Sequence, residues 1–480
     1  MLIKVKKSHI IIYSEKGEEY MLIGFTVSNF KSYKSPQKIS MMASRIVRHG
    51  DHVETYGGKK ILRSGLVFGA NASGKSNLVQ AVDFSRMIIM DGLESVNLIK
   101  KHFRIDSSMY RQPGVFEYRI QLDDKEYSYG IAISYKNREI VGEWLSRIKG
   151  TEKERCIFSR YINDEGISCV ESDINLEDEK EEAKMKFYFE GFSENISDTY
   201  KKKTLLSDVA LRENNATGVF SEMVKVYEWF KNIIILFPDT KYCRINEDAA
   251  DKAKNQMFCK IMKYLDTGIE DIFSVQQEMD FKKVLSGMPP EDAKKIELEI
   301  LNKLDSHHLR IAINGQYYEL YKEEDGTIKY NKILLDHGNQ DDIFEFMDES
   351  DGTQRLFDLI PLFYKEGQAS LVLIDEIDRS LHANLTRRFL ELFYTYNQGT
   401  KAQIIATTHD SNILDLNLLR QDEIWFVERQ EDNSSKVFSL NKFKERFDKK
   451  IDKEYLLGRY GAIPIFDEEF NKVEEDTIEK

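Results

Sequence analysis

Gly69-Ala70-Asn71-Ala72-Ser73-Gly74-Lys75-Ser76 is the stretch that decides how this chain folds. An apolar run, Leu66-Val67-Phe68, leads into it, and Asn77-Leu78-Val79-Gln80-Ala81-Val82 leaves it with helical patterning. Strand, glycine loop, helix is the setting that the pattern G-x-x-x-x-G-K-[ST] requires of a phosphate loop. The glycines let the backbone turn back with its N–H groups pointing inward, a nest for phosphate oxygens, and the helix adds its positive end. Lys75 is expected to reach the β- and γ-phosphates and Ser76 to ligate Mg²⁺. Gly69, Asn71, Ala72, Ser73, Gly74, Lys75, Ser76 and Asn77 form the candidate nucleotide-binding set.

A phosphate loop needs acids opposite it, and the last third of the chain supplies them. Ser370-Leu371-Val372-Leu373-Ile374-Asp375-Glu376-Ile377-Asp378 reads as a strand ending in acids, Asp375-Glu376 first among them. Asp375 is placed to hold Mg²⁺ and Glu376 to orient or deprotonate an attacking water. Both sit at the C-terminal end of a strand, where open α/β sheets bind ligands. A second apolar strand, Ala402–Ala406, runs into Thr407-Thr408-His409. A histidine there can bond the γ-phosphate or the water. Ser350-Asp351-Gly352-Thr353-Gln354 opens another helix just before the acidic strand. Read as an anion-binding helix end, with Ser350, Gly352 and Gln354 as contacts, it would be spare in a single chain and useful over a nucleotide held by another copy. The alternative is a plain N-cap by Ser350 or Asp351.

Bulk composition limits the rest. At 480 residues the chain fits two or three units rather than one core. Hydrophobic residues make up 41% and charged residues 31%, as in soluble globular proteins. No apolar run approaches a membrane span, and Ile10-Ile11-Ile12 is too short for a signal-peptide core, so a cytoplasmic protein is expected. Cys156, Cys169, Cys243 and Cys259 are scattered without C-x-x-C spacing, which favours reduced thiols over zinc or disulfides. A net charge of −13 argues against a protein that coats nucleic acid.

The order of elements is not that of a simple doubly wound sheet. Met21–Val27 reads as a strand, followed by Asn29-Phe30-Lys31-Ser32-Tyr33. After the loop helix, Phe116, Tyr118, Ile120 and Leu122 alternate with polar residues. Asp123-Asp124 turns, and Tyr127, Tyr129, Ile131 and Ile133 alternate again. That is an antiparallel hairpin. From about 150 to 340 the patterning is mainly helical, with Val219, Phe220, Met223, Val224, Tyr227 and Phe230 on one stripe and a helix opened by Pro289-Pro290.

This motif order resembles the ABC-type ATPase superfamily. Gly69–Ser76 matches its phosphate loop, Ser350–Gln354 a divergent signature, Asp375-Glu376 its acidic strand and His409 its switch histidine. The wide gap between loop and signature, and Asn29–Tyr33, resemble the SMC and RecF branch. More narrowly, the wording of these motifs and of Gly458–Pro464 resembles bacterial RloA-like defence-operon ATPases. The resemblance implies a two-lobed α/β head, a mixed sheet plus antiparallel strands, with a mainly helical insertion. It implies a Mg²⁺-dependent ATP hydrolase working as a homodimer or higher homo-oligomer beside a nuclease or toxin partner. A RecF-like repair ATPase with ATP-gated DNA binding is the alternative. The expected layout is an extension over 1–20, lobe one over 21–150, the insertion over 151–340, lobe two over 341–450 and a tail over 451–480. Asp351 stands where the superfamily usually has a small residue, and Glu143 is the candidate for the glutamine-loop position.

Overall fold

The computed structural model describes residues 20–148, 155–176, 178–193, 196–213, 215–240, 248–249, 251–304, 309–313, 316–323, 325–339, 341, 343–363, 370–443 and 445–463. The expected extension apart from Tyr20, every residue after Ile463, and Cys243 lie outside them. The described residues fall into two compact units: one within Asp239–Gln368 and Arg379–Arg388, the other within Ser14–Pro238, Ala369–Asp378 and Phe389–Lys480.

The larger unit is built on two sheets. In the first, the strand Ser64–Phe68 lies between Gln403–Thr407 and Ile424–Arg429, all parallel. Leu371–Ile374 and then Ile233–Leu236 extend it in parallel on one side, and Ser435–Ser439 closes the other side antiparallel. A parallel strand covered on both faces reads as a continuous apolar run, and all five residues of Ser64–Phe68 are buried. The second sheet has seven strands in the order Ser168–Glu171, Arg155–Ile162, Glu139–Ile148, Lys125–Ser134, Gly114–Leu122, Tyr20–Ser28, Gln37–Ser40, every pair antiparallel. Its central hairpin is the expected one. Leu122 pairs with Lys125 across Asp123-Asp124, and the alternating Phe116, Tyr118, Ile120, Tyr127, Tyr129 and Ile131 are at most 2% exposed. The helices Lys75–Asp91, Leu205–Arg212 and Gly218–Lys231 share the hydrophobic core with it.

The smaller unit carries an antiparallel sheet of Asp271–Glu278, Ile328–Asp336, Gln316–Lys322 and Leu309–Ile313, with Phe344–Glu345 on Ile328–Asp336. The helix Pro290–Lys303, with proline in its first turn, buries Ile300 in a small core with Leu304, Leu285 and Leu320.

The 151–340 stretch is therefore divided differently from the expectation of one mainly helical insertion. Its strands Arg155–Ile162 and Ser168–Glu171 complete the seven-stranded sheet, and Ile233–Leu236 is an edge of the phosphate-loop sheet. The helical stripe is real, since Val219, Phe220, Met223 and Phe230 are at most 5% exposed. The strands were harder to read as parts of a core, because their pairing partners lie far away in sequence.

Candidate functional site

The phosphate loop is shaped by close approach. At Gly69 a Cβ would stand 2.4 Å from the Val427 carbonyl oxygen, and at Gly74, φ 111°, it would stand 2.3 Å from Ser435 Oγ. Only glycine fits either place. Ala72 also takes a positive φ of 62°. The outer wall is a set of hydroxyls: Tyr33 OH donates to the Gly74 carbonyl at 2.9 Å, Ser435 Oγ to the Ser73 carbonyl at 2.5 Å, and Asn77 Nδ2 to Ser32 Oγ at 2.8 Å. Ala70 N–H is held by the Ala462 carbonyl at 2.8 Å. Asn71 and Ala72 are exposed at the crest, while Ser76 is half-buried at the start of the helix Lys75–Asp91.

Lys75 folds back onto its own loop. Its Nζ donates to the Gly69 and Ala70 carbonyls at 2.6 and 3.0 Å. Burial pushes the pKa of this ammonium down, and Asp378, Asp375 and Glu376, in that order, pull it back up. Ser73 Oγ is buried without a hydrogen-bond partner. A buried hydroxyl of that kind is costly unless something fills its demand.

The acids are positioned by one threonine. Thr407 Oγ1 donates to Asp375 Oδ1 at 2.6 Å and accepts the Glu376 N–H at 2.8 Å. Asp375 N–H is bonded to the Leu236 carbonyl at 2.8 Å and Ile377 N–H to that of Thr407 at 3.0 Å. Between them Glu376 takes φ 52°, a left-handed conformation that costs a non-glycine residue free energy and clusters at functional sites. His409 Nδ1 pairs with Asp378 Oδ2 at 3.0 Å. The His409 side chain is 58% exposed, whereas Asp378 is buried and its Oδ1 has no partner. So the carboxylate fixes the ring and the other ring nitrogen is left to reach a ligand.

The signature stretch belongs to the smaller unit. Ser350 is the N-cap of the helix Asp351–Leu359, its Oγ accepting the Thr353 N–H at 3.2 Å. Gln354 Nε2 donates to the Glu349 carbonyl at 3.0 Å. Gly352 leaves no room for a Cβ, which would stand 2.6 Å from the Ser380 carbonyl oxygen. Ser350 and Asp351 are exposed. The N-cap alternative is thus realised, and a cap still presents the first N–H groups of its helix outward.

Glu143 is not a nucleotide contact. It is fully buried, accepting the N–H groups of Leu205 and Leu206 at 2.7 and 3.0 Å and Tyr129 OH at 3.0 Å. It caps the helix Leu205–Arg212 from a neighbouring strand. The resemblance made it the candidate for the glutamine-loop position, but the charge serves a helix end. Asp378, Thr407 and Ser435 were missed. Asp378 stands two residues after Glu376 in plain view; Ser435 has no local signal, because its role depends on a contact with Ser73 across 362 positions.

Strand, glycine loop, helix, with an acidic strand two places away in a parallel sheet, define a nucleotide-binding phosphate-loop ATPase fold. The sequence model of the family described as "AAA domain, putative AbiEii toxin, Type IV TA system" matches residues 66–415, and the chain belongs to this family. No curated protein matches it. Among solved structures, the SMC head domain from Thermotoga maritima is similar at 12% identity and TM-score 0.35, covering 87% of this chain and 98% of that one. The recombination mediator protein RecF, of the RecFOR pathway, is similar at 13% identity and TM-score 0.30, covering 88% and 100%.

Proposed function

We propose that the protein is a Mg²⁺-dependent ATP hydrolase whose ATP-bound state joins two copies and thereby controls a partner effector, in bacterial defence against phage. The observation that carries the reading is the glycine loop between a buried strand and a helix, with Asp375 and Glu376 at the end of a strand in the same parallel sheet and His409 paired with Asp378. The donor set fits the ligands: a lysine on its own loop carbonyls, a buried unpaired Ser73 hydroxyl and an unpaired Asp378 oxygen. Mg²⁺, held by Ser76 and Asp375, neutralises phosphate charge when bound.

The chain's own groups divide the work. Lys75 leaves the Gly69 and Ala70 carbonyls for phosphate oxygens, exchanging neutral acceptors for charged ones. Glu376 takes the proton of the attacking water. Its backbone is clamped by Thr407, so its carboxylate is held without reorganisation at the moment of reaction. His409, oriented by Asp378, donates a hydrogen bond that distinguishes the triphosphate from its product. Ser350, Gly352 and Gln354, on an exposed helix start, complete the site of a second copy. ATP then favours the closed dimer by differential affinity, and hydrolysis reopens it. The family's description, with its toxin and type IV system, supports a protein partner, as does the net charge of −13.

The test is Glu376→Gln, which keeps the shape and removes the base. With saturating ATP it is expected to accumulate as a dimer in light scattering, with ATP retained. A monomer under those conditions contradicts the reading. ATP-dependent, salt-sensitive DNA binding without dimerisation would favour the repair alternative.

A further inference from the structure

At the far end of the phosphate-loop strand lies a second polar cluster that nucleotide chemistry does not use. His49-Gly50-Asp51-His52 forms a tight turn, with His49 at φ 53°. One nitrogen from each imidazole and one Asp51 oxygen lie within 4.8 Å of one another. His52 Nδ1 faces the Glu423 carboxylate at 3.0 Å, and His49 Nε2 faces the Leu416 carbonyl at 3.0 Å.

Those two hydrogen bonds fix the tautomers. An acceptor oxygen at one ring nitrogen requires that nitrogen to carry the proton, so in the neutral rings the lone pairs fall on His52 Nε2 and His49 Nδ1. Metal-binding histidines are held in this way, by a carboxylate or a backbone carbonyl on the opposite nitrogen. His52 is further locked by stacking on Tyr394, with centroids 3.4 Å apart. Its Nε2 stands 3.9 Å from Asp51 Oδ2. In the neutral ring that nitrogen turns a lone pair toward a carboxylate, an arrangement that a proton or a metal ion between them relieves.

We propose that His49, Asp51 and His52 bind a divalent first-row transition-metal ion, zinc being the best match. Two imidazoles and one carboxylate are a borderline-soft set suited to zinc, cobalt or nickel rather than Mg²⁺ or Ca²⁺. Ligand atoms of a tetrahedral zinc site lie ~3.4 Å apart, and the exposed Asp51 side chain supplies the small closure needed. Three protein ligands leave a fourth position for water. Glu423 also accepts from Ser64 Oγ at 2.6 Å, so the ion steadies the residue that starts the phosphate-loop strand.

The experiment is titration of the full chain, stripped with chelator and free of nucleotide, with Co²⁺ as a spectroscopic probe. The expected result is one equivalent of Co²⁺ with a visible d–d band lacking thiolate charge transfer, displaced by Zn²⁺. Asn tolerates the left-handed backbone at position 49, so His49→Asn with Asp51→Asn keeps the fold and should weaken uptake by about tenfold or more. Lys75→Ala should leave uptake unchanged. The proposal is overturned if no stoichiometric uptake occurs, if the double variant binds as well as the parent, or if a thiolate band places the ion on cysteine.

Discussion

The two ends of the phosphate-loop sheet carry similar residues and use them in opposite ways. At the C-terminal end, Asp375 receives one threonine hydroxyl, Asp378 keeps an oxygen unpaired, and His409 is 58% exposed. At the N-terminal end, Glu423 is fully buried and accepts from His52, Ser64 Oγ and Arg420 N–H. Arg420 in turn holds Asp422 with two nitrogens at 2.9 Å and donates to the Ile46 and Arg48 carbonyls. Carboxylates with spare acceptors are poised for a ligand; carboxylates with every lone pair occupied hold a fold together. The sheet separates reactivity from stability by length alone.

That contrast can be broken from either end. The largest effect is expected from Lys75→Ala, which should lower ATP affinity or turnover by about 10²–10³-fold while leaving the thermal midpoint almost unchanged, as read by fluorescent-nucleotide titration and calorimetry. Arg420→Ala should do the reverse. It leaves buried Asp422 without its charge partner, held only by Ser44 N–H and Oγ, and should cost ~3–5 kcal/mol in the unfolding of this unit, measured by denaturant titration, with nucleotide affinity kept wherever the fold survives. A smaller and sharper test is Thr407→Val, nearly the same shape without the hydroxyl. It should reduce kcat by about tenfold through Asp375 and Glu376 and leave stability within ~1–2 kcal/mol. A large loss of stability with intact kcat would show that Thr407 belongs to the fold rather than to the site.

How much of this was legible in the sequence depended on distance along the chain. Gly69–Ser76, Asp375-Glu376 and His409 each lie where a buried strand ends, and a local apolar run announces such ends. The hairpin across Asp123-Asp124 was readable for the same reason. Contacts made across hundreds of positions were not. Ser435 touches Ser73, Gln403 bonds the backbone of Leu22 and Leu62, and Ile233–Leu236 joins the acidic strand after more than a hundred intervening residues. Glu143 misled because an acid on a strand of the first lobe matched the glutamine-loop position that the resemblance implies, whereas its charge serves a helix end. His49 and His52 carried a visible spacing, but their meaning came only from Glu423 and Leu416 on a distant segment.

The central claim is that Lys75 and Ser350 act in one site contributed by two chains. Mixing two inactive variants tests it most directly, one carrying Lys75→Ala and the other Ser350→Ala. Neither should hydrolyse ATP alone. In an equal mixture, half of the randomly formed dimers are mixed, and each of these holds one intact site, so about a quarter of parental activity should return. A mixture as inactive as its parts, or Ser350→Ala fully active by itself, would contradict the shared site.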